Sequence, residues 1–279
     1  MIFKTDNAAA ISILAQEKKI TAKNYEEEYM NPAIEAEATK IKAFLLSWKN
    51  QTVKKKPAEK LFDLEQVEKA PSLTELKKIW GWKEVSKECV HMCHYKGTDT
   101  DIIIPAKLKD FKVTGVGKSC FSSVERKVVS ERAKFFERCL QSVEISHGIK
   151  IIGENAFCAC RNLRSIIIPD SVKDIKEKAF IQCGKLTQIS GMKGVKNIRR
   201  CAFDECYSLK GDLYLPNVVR IDEFAFAHCK GSINLHLSEK ISDISIFAFS
   251  YSNKITIHAP AGSYAEKYAK ENKIPFVAE

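Results

Sequence analysis

The chain reads as an α/β protein, with an α-helical N-terminal region followed by a solenoid of stacked repeats. Two observations carry the solenoid. A phenylalanine preceded by alanine returns with a constant 23-residue period, at Phe157, Phe180, Phe203, Phe226 and Phe249. Apolar residues stand eight and five positions before each, as Ile149/Ile152, Val172/Ile175, Val195/Ile198, Val218/Ile221 and Ile241/Ile244. A constant period over five units means stacked supersecondary units, because no single unit buries its apolar face alone. A third observation bounds the helical region: residues 1–85 carry no such period. The chain therefore divides into residues 1–85 and residues 86–279.

Residues 1–85 read as helices. Asp6 or Asn7 caps a first helix over Ala8–Lys18, with Ile11, Leu14 and Ala15 on one face. Thr21 caps a second, whose first turn is enriched in polar and acidic groups at Asn24 and Glu26–Glu28. Pro32 suits the first turn of a third, in which Ile34, Ala38, Ile41, Leu45 and Trp48 recur at helical steps. Gln51 to Lys60 is a polar connector, and Leu61–Ala70 and Leu73–Trp80 form two short helices on either side of Pro71-Ser72.

Around Val85 the pattern changes to strands and turns, and the first repeat begins near Lys87. Asp101-Ile102-Ile103-Ile104-Pro105 is a β run closed by proline, and Val113, Val116 and Phe121 keep the repeat's internal spacing. The step from Phe121 to Phe157 is longer than the others, the excess falling in the charged stretch Ser122–Lys134, which reads as an insertion. The unit is clearest over residues 163–183: Leu163, Ile166 and Ile168 on a strand, Pro169 ending it, Val172 and Ile175 next, then Ala179-Phe180 and Cys183. Alternation sends Ile166 and Ile168 inward and Ile167 outward. The same strand returns as Leu186/Ile189, Leu213/Leu215, Ile233/Leu235/Leu237 and Ile255/Ile257. Cys160, Cys183, Cys206 and Cys229 each stand three positions after a repeat phenylalanine, and Cys139 stands in the same relation to Phe136.

The pattern L-x-x-I-x-I-P-x-x-V-x-x-I-x-x-x-A-F-x-x-C at this period resembles the BspA-type leucine-rich repeat, over about residues 87–279. Ile255-Thr-Ile-His-Ala-Pro followed by Gly262-Ser-Tyr-Ala-Glu-Lys-Tyr-Ala-Lys resembles that family's terminal strand and capping helix. The resemblance implies a right-handed leucine-rich-repeat solenoid with a parallel β-sheet, and binding rather than catalysis, often at cell surfaces. Ala43-Phe-Leu-Leu in the N-terminal region resembles the second helix of an ankyrin-type repeat.

Composition narrows the function classes. Hydrophobic residues make up 45% and charged residues 29% of the chain, which is ordinary for a globular protein. No apolar run approaches the roughly 18 residues that a membrane-spanning helix needs, so no span is expected. Ala8 to Ala15 behind Lys4 is too short for a signal peptide and has Asp6 on the wrong side, so no cleaved leader is expected. Five of the ten cysteines fall in a column of repeat positions, where reduced thiols act as small core hydrophobes. Free thiols point to a reducing, bacterial-type cytoplasm. The net charge of +10 has its sharpest local excess at Lys185, Lys193, Lys196, Arg199 and Arg200. That stripe lacks the interleaved aromatics that stack bases, and the expectation is a solvated face rather than a nucleic-acid site.

Few residues suggest chemistry. Cys89, His91, Cys93 and His94 form C-x-H-x-C-H, but alternate strand positions splay about 6–7 Å apart, awkward for one tetrahedral ion. The expected role is a first strand with buried thiols and no metal. The chain lacks a glycine-rich phosphate loop, an H-E-x-x-H and a G-x-S-x-G. No enzyme and no cofactor are expected. Binding has a more definite place, the outward strand positions Ile103, Glu144, Ile167, Ser190, Tyr214, His236 and Thr256. A preorganised column of this kind suits a protein or peptide partner. The leading expectation is therefore a noncatalytic protein-binding scaffold. Two alternatives are an exported adhesin-like surface module and a binder of anionic ligands through the basic stripe.

Overall fold

This computed structural model describes residues 72–123 and 136–279, within the compact unit Pro71–Glu279. The helices expected before residue 71, with their ankyrin-like stretch, lie outside the described residues, as does most of the expected insertion.

The unit opens on a short helix, α1 (Leu73–Ile79), held by a capping box. Glu75 N donates to Ser72 Oγ at 3.3 Å, and Ser72 N donates back to Glu75 Oε2 at 2.7 Å, satisfying two N-terminal donors. The expected helix over Leu73–Trp80 is thus present, but strand structure begins at Trp80, before the change of pattern at Val85. Strand β1 (Trp80–Ser86) forms an antiparallel hairpin with β2 (Cys89–Tyr95). Leu76, Trp80, Val90, Met92 and Tyr95 are buried in the same core as the repeats. The hairpin therefore caps the solenoid's first turn, and residues 73–86 pack with the solenoid.

Each repeat then supplies two strands and a turn. The longer strands are β3 (Asp101–Ile104), β6 (Ser142–Ile145), β8 (Ser165–Ile168), β10 (Gln188–Gly191), β12 (Gly211–Leu215), β14 (Ile233–Leu237) and β16 (Ile255–Ala259). The shorter set begins with β5 (Phe111–Val116), which β4 (Lys107–Leu108) joins antiparallel. It continues through β7 (Ile151–Ile152), β9 (Asp174–Ile175), β11 (Asn197–Ile198), β13 (Arg220–Ile221) and β15 (Asp243–Ile244). The short strands form one sheet, ordered β1-β2-β5-β7-β9-β11-β13-β15 and parallel after the opening hairpin. The long strands form two parallel four-stranded sheets, β10-β8-β6-β3 and β12-β14-β16-β17, where β17 is Phe276–Ala278. The break after β10 falls at a glycine turn. Gly191 turns at φ +95°, and a Cβ there would lie 1.9 Å from the Ile168 carbonyl oxygen. The chain leaves the sheet at that point, and β12 starts a new one.

On the third side, the phenylalanines form a stack. Phe121, Phe157, Phe180, Phe203 and Phe226 are fully buried, with successive ring centroids 5.0, 5.1, 5.1 and 5.2 Å apart and planes within 13°. Phe249 continues it at 6.1 Å. The N–H of each stacked phenylalanine before Phe249 donates to the alanine carbonyl of the following repeat, as Phe157 to Ala179 and Phe180 to Ala202, both at 2.8 Å. Positive-φ residues flank the turns in step with the period: Asn155, Lys178, Cys201 and Phe224 before the phenylalanine, and Ala159, Gln182, Glu205, His228 and Tyr251 after it. This left-handed backbone is costly for residues with a Cβ. It is held here by the inter-repeat hydrogen bonds.

The cysteine column also has a specific bond. Cys183, Cys206 and Cys229 Sγ donate to the carbonyls of Phe157, Phe180 and Phe203 at 3.2, 3.3 and 3.5 Å. Ser252 takes the same place in the last repeat and donates to Phe226 O at 2.7 Å. Cys139 stands outside this column. Residues 136–139 are helical, and Phe136 packs edge-on against Phe121 at 88° instead of joining the stack. Cys139 is consequently only half-buried. All ten cysteines are free thiols.

Burial pushes the Cys160, Cys183 and Cys206 thiols well above their ordinary value, and Cys229 up to about 12. These groups are poor nucleophiles at neutral pH. Their linkage to folding has a definite sign. The stabilisation is fully present below the ordinary thiol value of 9.0 and is lost as pH rises toward about 12 for Cys229. Cys229→Ser keeps a donor to Phe203 O and removes one such titration. Its loss of stability between about pH 8 and pH 11 should be smaller than that of the wild type, measured by urea unfolding at each pH. An equal or steeper loss would reject this linkage.

Candidate functional site

The outward positions of the long strands fall where alternation places them, with one change. Ile103 pairs with Glu144, Glu144 with Ile167, and Ile167 with Ser190 across the first sheet. Tyr214 pairs with His236 in the second. The break after β10 separates these two runs. His236 is followed by His258, and Thr256 pairs with Asn234 one row back. The correction arises because each strand has two outward positions, Asn234 and His236 in β14 and Thr256 and His258 in β16. The two expected members chosen from neighbouring strands, His236 and Thr256, came from different rows.

The second sheet concentrates the polar chemistry. Tyr214, His236 and His258 stack across three strands, with ring centroids 4.4 and 4.5 Å apart. Tyr214 is 54% exposed, so its face and hydroxyl are open to a partner. Asp212 sits in the adjacent row, where its Oδ1 accepts from Asn234 Nδ2 at 2.8 Å and lies 3.4 Å from His236 Nε2. The Asn234 hydrogen bond, then that of His236, holds the Asp212 carboxyl below the usual aspartate value. On the other side of His236, Glu279 Oε1 lies 2.8 Å from His236 Nδ1 and 3.1 Å from His258 Nδ1. Asp212, His258 and Glu279 were not singled out in the sequence. Glu279 is distant from His236 along the chain and reaches it only because β17 returns beside β16.

Two other sequence candidates resolve differently. Cys89, His91 and Cys93 lie half-buried on one side of β2, not fully buried as expected. The core side of β2 is taken by Val90, Met92 and Tyr95, so the cysteines fall on its opposite side. They are not among the described groups whose ligand atoms converge. The His91 ring lies over Gly115, where a Cβ would come within 2.7 Å of it. In the basic stripe, Arg199 reaches Asp174 and Asp222 at 3.4 and 3.8 Å, and Arg200 reaches Glu177 and Glu223 at 3.8 and 3.7 Å. Both arginines thus stand in a ladder of carboxylates from neighbouring repeats. Such exposed pairs add little stability, but they balance the charge locally. The turn side shows a further set that the sequence reading passed over. Phe224 stacks on Phe247 at 5.8 Å and His228 on Tyr251 at 4.7 Å, with Tyr251 80% exposed. Their spacing, which matches the phenylalanine period, was available as a signal.

Residues 128–256 match the BspA type leucine rich repeat region, in six copies. These residues are a BspA-type leucine-rich-repeat array. Among solved structures, the T. pallidum leucine-rich-repeat protein is similar at 17% identity and a TM-score of 0.51, covering 76% of this chain and 100% of its own. The pneumococcal vaccine antigen PcpA is similar at 15% identity and a TM-score of 0.47, covering 68% of this chain and 44% of its own. A leucine-rich-repeat protein from Eubacterium ventriosum follows at 14% identity and 0.40, covering 63% and 40%. At these identities the T. pallidum protein supports the leucine-rich-repeat fold alone. No curated protein shows significant similarity to the chain. Among the described residues, no helix is long and apolar enough to cross a membrane.

Proposed function

We propose that this leucine-rich-repeat protein is a noncatalytic scaffold that binds a protein or peptide through the outward face of its long strands. The observation that carries the reading is the set of exposed contact residues on the outward face of the two long-strand sheets. Ile103, Ile167 and Tyr214 are 53%, 46% and 54% exposed, with Glu144, Ser190, His236 and Thr256 interspersed. Exposed apolar and aromatic side chains on a preorganised backbone give contact area at small ordering cost. The ten free thiols support a reducing compartment, hence a cytoplasmic partner. Cell fractionation tests that placement.

The interface is tested by affinity capture from native lysate with the wild type and two variants. The Ile167→Ala/Tyr214→Ala double variant should lose the captured partner. Lys196→Ala, in the basic stripe, should retain it. An identified partner held equally by all three would reject this face.

A further inference from the structure

We propose that His236, His258 and Glu279 form a binding site for a divalent transition-metal ion of the zinc class. This goes beyond the scaffold reading and does not depend on it.

The three side chains converge from neighbouring strands and the chain end beside them. One ligand atom from each lies within 4.8 Å of the others, and this is the group of metal-ligating residues that converges among the described residues. The Glu279 oxygen is 2.8 and 3.1 Å from the two Nδ1 atoms. Neighbouring ligand atoms around a tetrahedral zinc, with bonds of about 2.0–2.1 Å, stand about 3.3 Å apart. Two edges of the polyhedron are therefore nearly in place. The third pair lies within 4.8 Å and closes when the two stacked rings, 4.5 Å apart, tilt so that their Nδ1 lone pairs converge. Two imidazole nitrogens and one carboxylate oxygen suit zinc and its neighbours and disfavour magnesium or calcium.

The surroundings of His236 supply the second argument. Asp212 Oδ1, fixed by Asn234, faces His236 Nε2. A hydrogen on Nε2 serves that carboxylate and leaves the Nδ1 lone pair directed at Glu279 Oε1. A neutral imidazole carries one ring hydrogen, so it cannot donate to both carboxylates. An imidazolium would donate to both carboxylates, whereas a metal ion at Nδ1 would bridge His236 Nδ1 and Glu279 Oε1 while Nε2 donates to Asp212. A carboxylate on the far nitrogen of a ligating histidine is the usual arrangement that sets its tautomer and raises its basicity.

The backbone holds the parts in register. His236 pairs with His258 and His258 with Val277, while Glu279 N donates to Ala259 O at 3.0 Å. The two histidine side chains are 14% and 18% exposed and Glu279 46%, so a fourth position stays open to water or an outside ligand.

The test uses the full chain titrated with Co2+, then competed with Zn2+, read by the visible cobalt spectrum. The wild type should take up one Co2+ per chain with tetrahedral d–d bands and no thiolate charge-transfer band, and Zn2+ should abolish the signal. His258→Ala and Glu279→Gln should each weaken binding at least about tenfold, and Asp212→Asn about 10–100-fold as a positioning residue. Cys89→Ser/Cys93→Ser should leave it unchanged. These side chains are at the surface, so unaltered thermal unfolding will confirm that each variant is folded. No Co2+ or Zn2+ uptake by the wild type overturns the proposal. So does uptake that survives His258→Ala and Glu279→Gln, or that is lost with the two cysteines. Such a failure leaves partner capture through Tyr214 and Ile167 untouched.

Discussion

Phe203→Ala is expected to lose about 3–5 kcal/mol of stability, the range for emptying a buried aromatic site. Phe203 is fully buried and lies at 5.1 and 5.2 Å between Phe180 and Phe226. Collapse into the cavity is opposed on both sides. Inter-repeat hydrogen bonds fix the turns, from Phe180 N to Ala202 O and from Phe203 N to Ala225 O, each 2.8 Å. In a stacked array the missing ring weakens the interfaces with both neighbours, so the unfolding of the two halves should begin to separate. Urea unfolding followed by far-UV circular dichroism should therefore show a lower midpoint and a shallower slope. Phe203→Leu, which fills most of the space, should cost less than half as much. A loss below about 1 kcal/mol for Phe203→Ala would mean that the stack is not the spine of the solenoid.

The inside of this protein was legible because burial imposes the period. Phe157 through Phe249, the inward Ile166 and Ile168, and the terminal strand and helix all repeat or end a pattern that solvent exclusion enforces. Departures come where a different local structure borrows the same residue types. Phe136 and Cys139 reproduce the spacing of a repeat turn but sit in a helical turn. Trp80 reads as a helix end, yet its ring packs 4.5 Å from Tyr95 across a hairpin. Neither case is separable by counting intervals, since only the partner across the chain distinguishes them.

The outward face was legible as a face and less so as a site. Alternation alone assigns Ile167 and Tyr214 to the surface, because side-chain direction follows from strand geometry. Which outward residues become neighbours depends on register. Here register slips: the step from Ser190 to Tyr214 is two positions longer than those from Tyr214 to His236 and from His236 to His258. The phenylalanine period stays constant through this region, so only the strand residues report the change, the step from Ile189 to Leu213 being two positions longer than that from Leu213 to Leu235. Glu279 was invisible for a simpler reason: no repeat contains it, and only the return of β17 sets it beside the histidines.

Tyr268→Ala should remove about 3–5 kcal/mol as well, by the same cavity mechanism at the end of the array. Tyr268 lies in α2 (Tyr264–Glu271), whose N-cap Ser263 accepts from Glu266 N at 3.3 Å. Its ring meets Phe249 edge-on, with centroids 6.2 Å apart, and its hydroxyl donates to Ser245 O at 2.9 Å. It thereby covers the last phenylalanine of the stack, which would otherwise face water. Since each repeat contacts mainly its neighbours, the damage should stay local. Hydrogen exchange should show protection lost in β14, β15 and β16 and retained in β6 to β9, unlike the weakening at the centre of the array expected for Phe203→Ala. Tyr268→Phe keeps the ring and drops only the hydroxyl bond, which costs about 1 kcal/mol. Uniform loss of protection along the solenoid would reject the capping role, because it would mean that the repeats unfold as one unit however their end is sealed.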